Sequence, residues 1–112
     1  MPEAVEAAAE LDRIPVGKVQ QLLLALQDPV RLEMVRRLTN AGGEARCSTL
    51  YDGINKSTAA HHFKILREAG ITERVTVNGN MCQRLRTDEV NAAVPGLLAA
   101  VTAAANRESD YL

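Results

Sequence analysis

The sequence predicts a mainly α-helical domain with one β-hairpin, which is an α+β fold. Apolar residues recur at helical spacing over most of the chain, and the period changes to two only after Gly70. The composition is rich in Ala and Leu and only 3% aromatic, which favours helices over a β-sandwich. The 112 residues correspond to one domain.

Two helices are predicted before residue 43. The first covers residues 18–26, and its apolar positions are Val19, Leu22, Leu23 and Leu26. Asp28-Pro29 starts the second, because Asp is a favoured N-cap and proline suits the first helical turn. Gly42-Gly43 ends that helix. Residues 1–16 are predicted to form an acidic N-terminal arm or helix, which precedes a domain of residues 17–105.

A helix–turn–helix unit is predicted next. Ser48 is expected to cap a short helix around Leu50 and Tyr51. Ser57 is expected to cap a longer helix, which Gly70 stops. The sequence therefore predicts two helices joined by a short turn.

A β-hairpin follows this unit directly. Apolar and polar residues alternate from Ile71 to Val77, and Asn78-Gly79 is a strong hairpin signal because both positions tolerate a positive φ. The return strand runs from Met81 to Arg86. Asp88 is expected to cap a last helix, which Pro95 either kinks or splits. Residues 106–112 are predicted to be a flexible tail.

This order is typical of a winged helix-turn-helix, in which the hairpin is the wing. At about 100° per residue, Ala59, His62 and Phe63 share the inner side of the longer helix. His61 and Lys64 lie on the opposite side, which suits a recognition helix in a DNA major groove. His62 is expected to be a core histidine.

The charge distribution supports this interpretation although the net charge is −1. Residues 1–12 hold four acidic residues and no Lys or Arg, whereas residues 55–86 hold six basic residues against Glu68 and Glu73. One locally basic face is sufficient for contact with DNA phosphates. The predicted DNA-binding residues are Lys56, Ser57, Thr58, His61, Lys64, Arg74, Asn78, Asn80, Arg84 and Arg86. Solvated surface positions remain the alternative for the charged ones.

Three motifs carry a family resemblance. They are Asp-Pro-x-Arg-Leu at 28–32, Lys-Ser-Thr-x-x-His-His-Phe at 56–63 and Leu-Arg-Glu-Ala-Gly at 66–70. Together they resemble the ArsR/SmtB family of bacterial winged-helix repressors over residues 22–101. The resemblance implies a homodimer, a two-fold-symmetric DNA operator and release from DNA by an inducer. The dimer interface that it implies consists of Leu22, Leu23, Leu26, Val90, Val94, Leu97, Leu98 and Val101.

The metal sites usual in that family are missing from the sequence. One uses a Cys-x-Cys pair, but here the region reads Ala45-Arg46-Cys47 with a single thiol; the other uses histidines on the last helix, which has none. We therefore expect no metal and no other cofactor, although a different ligand set stays open. Cys47 and Cys82 are expected to be small buried residues in a reducing cytoplasm, with a redox pair as the alternative.

The sequence bears on three classes of function. The first is a dimeric, sequence-specific transcriptional repressor in the cytoplasm that is released by an effector. The second is a winged helix that binds DNA, or senses its signal, only with a partner protein; the neutral net charge and the arginine-free wing tip favour it. An enzyme is not expected, because no nucleophile–base spacing or phosphate-binding glycine loop is present. No membrane contact is expected.

Overall fold

The computed structural model describes residues 13–109, and the predicted acidic arm therefore lies mostly outside the described residues. Within this range the chain forms α1 (Val19–Leu26), α2 (Pro29–Asn40), β1 (Glu44–Arg46), a short 3-10 helix (Cys47–Thr49), α3 (Lys56–Glu68), β2 (Thr72–Val77), β3 (Asn80–Leu85), α4 (Thr87–Ala93) and α5 (Leu97–Ser109). This is a winged helix-turn-helix, and the predicted fold class is confirmed.

The helices surround one apolar core. Leu22, Met34, Leu38 and Leu66 are fully buried and come from α1, α2 and α3. Their spacing places one apolar stripe of each helix against the others. α3 packs against α2, α1 and β2, so that one side of it is fixed and the other faces outward.

The hairpin forms as predicted and gains a third strand. β2 and β3 pair from Thr72↔Leu85 to Val77↔Asn80, and Asn78 and Gly79 have φ values of 51° and 81°, as their turn requires. β1, which the sequence did not predict, pairs antiparallel with β3, in the strand order β1-β3-β2. β3 is therefore the central strand of the sheet.

The predicted last helix is two helices. α4 ends at Ala93, Pro95 lies in the break, and Gly96 with a φ of 81° turns the chain into α5. The Gly96 amide donates to Asn91 Oδ1 at 2.8 Å. Proline splits the helix because it has no N–H and clashes with the preceding turn.

Both predicted domain edges differ in the structure. Val16 packs against the core, and the Gly17 amide donates to the Ala69 carbonyl at 2.9 Å, so the end of the predicted arm belongs to the folded unit. At the other edge, α5 continues to Ser109. The Asn106 side chain exchanges hydrogen bonds of 3.0 and 3.1 Å with Asn40, which holds this turn against α2.

Candidate nucleic-acid interface

The outer face of α3 carries the residues predicted to contact DNA. Ser57, Thr58, His61 and Lys64 are all exposed, while Ala59, Phe63 and Leu66 are buried beneath them. The two sides of α3 that the helical period predicted are therefore its exposed and buried sides in the structure. Ser57, Thr58 and His61 lie in the first two turns, and the N-terminal residues of a recognition helix are the ones that contact base edges.

The N-terminus of α3 is capped by a different residue from the predicted one. Asn55, and not Ser57, is the N-cap: its Oδ1 accepts the Thr58 amide at 2.8 Å. The Ser57 hydroxyl donates to the same oxygen at 3.1 Å. The prediction failed because both residue types are good caps, and the chain begins the helix two residues earlier. Ser57 remains exposed on the outer face.

Arg31 links α3 to the two helices behind it. Its Nε donates to the Ala25 carbonyl at 2.7 Å at the end of α1, and its Nη1 lies 3.1 Å from His62 Nδ1 on α3. Because a guanidinium only donates, Nδ1 of His62 must accept. Asp28 caps the same helix as Arg31, accepting the Val30 and Arg31 amides at 2.9 and 3.1 Å. The Asp-Pro-x-Arg-Leu motif thus fixes the position of α3.

His62 is a partly buried structural residue, in line with its predicted inner position. Its Nδ1 also lies 3.7 Å from Asp28 Oδ2. The His61 and His62 rings are 5.8 Å apart and tilted by 59°, and His61 points to solvent. The two adjacent histidines therefore lie in different environments, one partly buried and one exposed.

The wing presents three of its predicted contact residues to solvent. Arg74 is exposed on β2, and Asn78 and Asn80 are exposed at the tip. Arg74 lies beside α3, since Arg74 and Lys64 line one cavity.

The structure contradicts the prediction for Arg86 and weakens that for Arg84. Arg86 is only 4% exposed; it pairs with Glu89 at 2.8 Å and donates to the Ile14 carbonyl. It lies just past β3, where its guanidinium ties the N-terminal segment to α4. Arg84 is half-buried and pairs with Glu44 of β1 at 2.7 Å. Neither pairing was visible in the sequence, because Glu44 belongs to the unpredicted strand and Arg86 was assigned to the hairpin.

Two basic residues that were not predicted join the interface. Arg46, at the end of β1, and Arg67, in the last turn of α3, line the cavity between α3 and the sheet together with Lys56, Lys64 and Arg74. Arg46 is exposed and Arg67 partly exposed. The local excess of basic residues was a signal for Arg67, but the position of Arg46 depends on the pairing of β1 with β3.

The residues predicted at a dimer interface divide into two groups. Leu22, Leu26, Val90 and Leu98 are between 0 and 7% exposed within one chain, so they belong to its own core. Leu23 is 49% exposed, and Val94, Leu97 and Val101 are partly exposed. Two exposed apolar residues of α1 were missed, Val19 and Leu24. A helical stripe in the sequence does not reveal which of its residues the chain itself covers.

The thiols and the acidic residues of the described chain do not form a metal-ligand cluster. Within residues 13–109, no group of three or more His, Cys, Asp or Glu side chains is arranged to hold an ion. Burial, together with the neighbouring Glu44 carboxylate, raises the pKa of the Cys82 thiol. Cys47 is partly buried and lies 3.5 Å from Gln83 Nε2. The arm that holds Glu3, Glu6 and Glu10 lies outside the described part.

None of the helices between residues 13 and 109 is long and apolar enough to cross a membrane.

Comparisons with known proteins agree with this geometry. Residues 26–75 match the model of a helix-turn-helix domain family. The uncharacterized HTH-type transcriptional regulator YceK of Bacillus subtilis is 38% identical over 80 residues, which are 70% of this chain and 80% of that protein. The crystal structure of the transcriptional repressor BigR from Xylella fastidiosa superposes with a TM-score of 0.59 at 34% identity, covering 74% of this chain and 81% of the other. These relatives regulate transcription and are not enzymes. The chain belongs to the helix-turn-helix transcriptional regulators.

Proposed function

We propose that the chain is a homodimeric repressor of the ArsR/SmtB type, which binds an inverted-repeat DNA operator in the cytoplasm and leaves it when an effector binds. The observation that carries the proposal is the outer face of α3, where Ser57, Thr58, His61 and Lys64 are exposed beside the wing. The similarity to the repressor BigR supports it. No step of the proposal uses a metal.

The two parts of the interface have different tasks in this proposal. His61 and Thr58 are near the start of α3, where they contact base edges in the major groove. Lys64, Arg74 and the wing tip contact phosphates, which position the protein but do not read sequence. Binding through several cations releases counterions, so affinity falls steeply with salt.

The proposed dimer uses the apolar residues that one chain leaves exposed. Val19, Leu23 and Leu24 of α1 are 48 to 60% exposed, and α5 adds exposed alanines and the partly exposed Val101. An exposed apolar set of this kind is a common mark of an interface. A dimer also presents two copies of α3 to two half-sites roughly one helical turn apart.

Light scattering tests the dimer separately from DNA binding. We expect Leu24→Glu to give a monomer at concentrations where the wild type is a dimer, because a carboxylate would be buried in the contact. Ala92→Glu, an exposed position on α4, is the matched control and should stay dimeric. A dimer that survives Leu24→Glu would place the contact elsewhere.

A second candidate is a winged helix that needs a partner protein to bind DNA. The net charge of −1 and a wing tip without arginine favour it. In that case the exposed residues of α1 would bind the partner, and the chain alone would not select a DNA sequence.

Fluorescence anisotropy tests the proposed function against this candidate. The full chain is titrated into labelled DNA from immediately upstream of its own gene and into a scrambled duplex, over a series of salt concentrations. Tight binding of the upstream DNA alone, which weakens with salt, is the expected result. Equal and weak binding of both duplexes would contradict DNA reading by the isolated protein and favour the partner.

A further inference from the structure

A cavity of about 640 Å³ lies between α3 and the sheet. Its size is within the range of sites that hold small molecules. We call it the basic groove and define it by five cations, Arg46, Lys56, Lys64, Arg67 and Arg74, around apolar residues of the 3-10 region, α3 and β3.

Among the described residues, the cations of the basic groove have no carboxylate partners. Elsewhere in the described chain the guanidinium groups of Arg37, Arg84 and Arg86 pair with acidic side chains at 2.7 to 2.8 Å. Within residues 13–109, none of the five groove cations makes such a pair. The groove therefore carries an uncompensated positive charge, which attracts an anion.

The interior of the groove is apolar. Tyr51 and Phe63 meet edge to face with ring centroids 6.1 Å apart, and both line the groove. Met81 forms part of its wall and is 47% exposed, a large exposure for an apolar side chain. Phosphate groups of DNA would contact the cations of the groove but not its apolar interior. A ligand with both an anionic group and an apolar body uses all of the groove.

The Gln83 side chain forms part of the groove wall, and among residues 13–109 its amide oxygen lacks a hydrogen-bond donor. Gln83 is only 1% exposed; its Nε2 is 3.5 Å from Cys47 Sγ, but its Oε1 has no hydrogen-bond donor. A buried acceptor without a donor costs free energy. Solvent does not reach this oxygen, so it lies behind the groove wall and is not a contact point for a ligand.

We propose that the basic groove binds an organic anion with an apolar, ring-bearing body. Lys56 and Lys64 belong both to the groove and to the proposed DNA interface, so an anion held there competes directly with DNA phosphates. This makes the groove the effector site of the repressor. That last step rests on the proposed function, whereas binding of the anion does not.

The probe is 8-anilinonaphthalene-1-sulfonate, which combines a sulfonate with aromatic rings. Its fluorescence rises in an apolar site, and the chain has no tryptophan to interfere. The full chain is titrated with the probe as wild type, Arg74→Gln, Met81→Ser and His61→Ala. Arg74 and Met81 line the groove and tolerate change because they are exposed, whereas His61 lies outside it.

The expected result is saturable binding of one probe per chain. Arg74→Gln and Met81→Ser should each weaken it by at least about fivefold, through loss of charge and of apolar contact. His61→Ala should bind the probe like the wild type. The absence of saturable binding, or binding that neither groove variant weakens, would overturn the proposal; the second result would assign the probe to another surface, such as α1.

Competition with DNA separates the two proposals. With operator carrying a far-red dye, the probe should lower the apparent affinity of the wild type for DNA. Probe binding in the groove without any operator binding would contradict the repressor and leave the anion site standing. Operator binding that is unaffected by a saturating probe would overturn the groove as an effector site.

Discussion

Single side chains hold α3 in place, with the face that we propose to contact DNA turned outward. Arg31 joins the end of α1 to His62 on α3, and Asp28 caps the helix from which Arg31 projects. Burial alone would raise the pKa of Asp28, but the backbone hydrogen bond from Arg31, the nearby charge of Arg31 and the backbone hydrogen bond from Val30 together lower it. These residues fix α3 against α1 and α2.

Replacing Arg31 is therefore expected to destabilise the fold. Arg31→Met should lower the free energy of unfolding by about 1–3 kcal/mol, because the Ala25 carbonyl and His62 Nδ1 lose their donor. Urea denaturation followed by circular dichroism measures this loss. Arg107→Met, an exposed change on α5, is the control. Equal stability of the two variants would refute the bridging role of Arg31.

Glu33 predicts a pH dependence of stability. Hydrogen bonds from Arg36 and Arg37, opposed by desolvation, lower the pKa of Glu33 from 4.5 to about 2. The folded pKa lies below the unfolded one, so Glu33 stabilises the fold above pH 4.5 and loses this contribution as the pH falls towards 2. Solvent screening reduces the effect, since about a third of the side chain is exposed.

Glu33→Gln is expected to cost about 1 kcal/mol at pH 7 and progressively less between pH 4.5 and 2. Urea denaturation of both proteins across this range gives the difference at each pH. Glu108→Gln, an exposed change on α5, corrects for the altered net charge. A difference that stays constant over the whole range would show that the carboxylate charge of Glu33 is not responsible.

The sequence predicted the role of a single residue correctly where that role depends only on neighbouring residues. Asp28 caps α2 and Asn78-Gly79 turns the hairpin, as predicted, since both depend only on neighbouring backbone. Arg86 was misjudged because its burial depends on Glu89, a turn further on, and on the distant Ile14 carbonyl. No local pattern contains that information.

At the scale of elements, the junction after α3 depends on Gly70. Its φ is 81°, and a Cβ there would lie 2.5 Å from Val16 Cα and 2.8 Å from the Pro15 carbonyl oxygen. Glycine is thus required at this position for two reasons, the positive φ and the close approach of residues 15 and 16.

Gly70→Ala is expected to lower the free energy of unfolding by about 2 kcal/mol or more, from strain and overlap together. Gly79→Ala is a matched control, because its φ is also 81° but nothing lies within 4 Å of the added Cβ. It should lose only about 1 kcal/mol. Thermal unfolding of the two variants checks the difference, and equal losses would show that residues 15 and 16 do not pack closely on Gly70.

The sequence predicted the boundaries of α1, α2 and the hairpin closely. It did not predict β1, and it placed the short helix around Leu50 and Tyr51, whereas the 3-10 helix is Cys47–Thr49. Three residues are too few for an alternating pattern, and β1 exists because its backbone pairs with β3. Pro95 indicated in the sequence that the last helix is interrupted. The helix is split and not kinked because Gly96, with its positive φ, redirects the chain.

In the whole molecule, α3 lies beside the wing, and the cations of both therefore collect on one side of the domain. The net charge of −1 does not reveal this, because Glu33, Glu44 and Glu89 are paired with arginines elsewhere. The sequence predicted which side of α3 faces out. It did not predict that Arg46 would join that side, or that Leu22 and Leu26 would be covered by the chain's own core. Both depend on contacts between distant segments.

The most direct test of the account compares operator affinities of variants on the outer face of α3. His61→Ala and Lys64→Ala should each cost about 1–3 kcal/mol if the side chain reads a base, and less if it meets only phosphate. Lys18→Ala, at an exposed lysine before α1, is matched to Lys64→Ala and should bind like the wild type. If His61→Ala and Lys64→Ala also bind the operator like the wild type, α3 does not read DNA and the central claim is wrong.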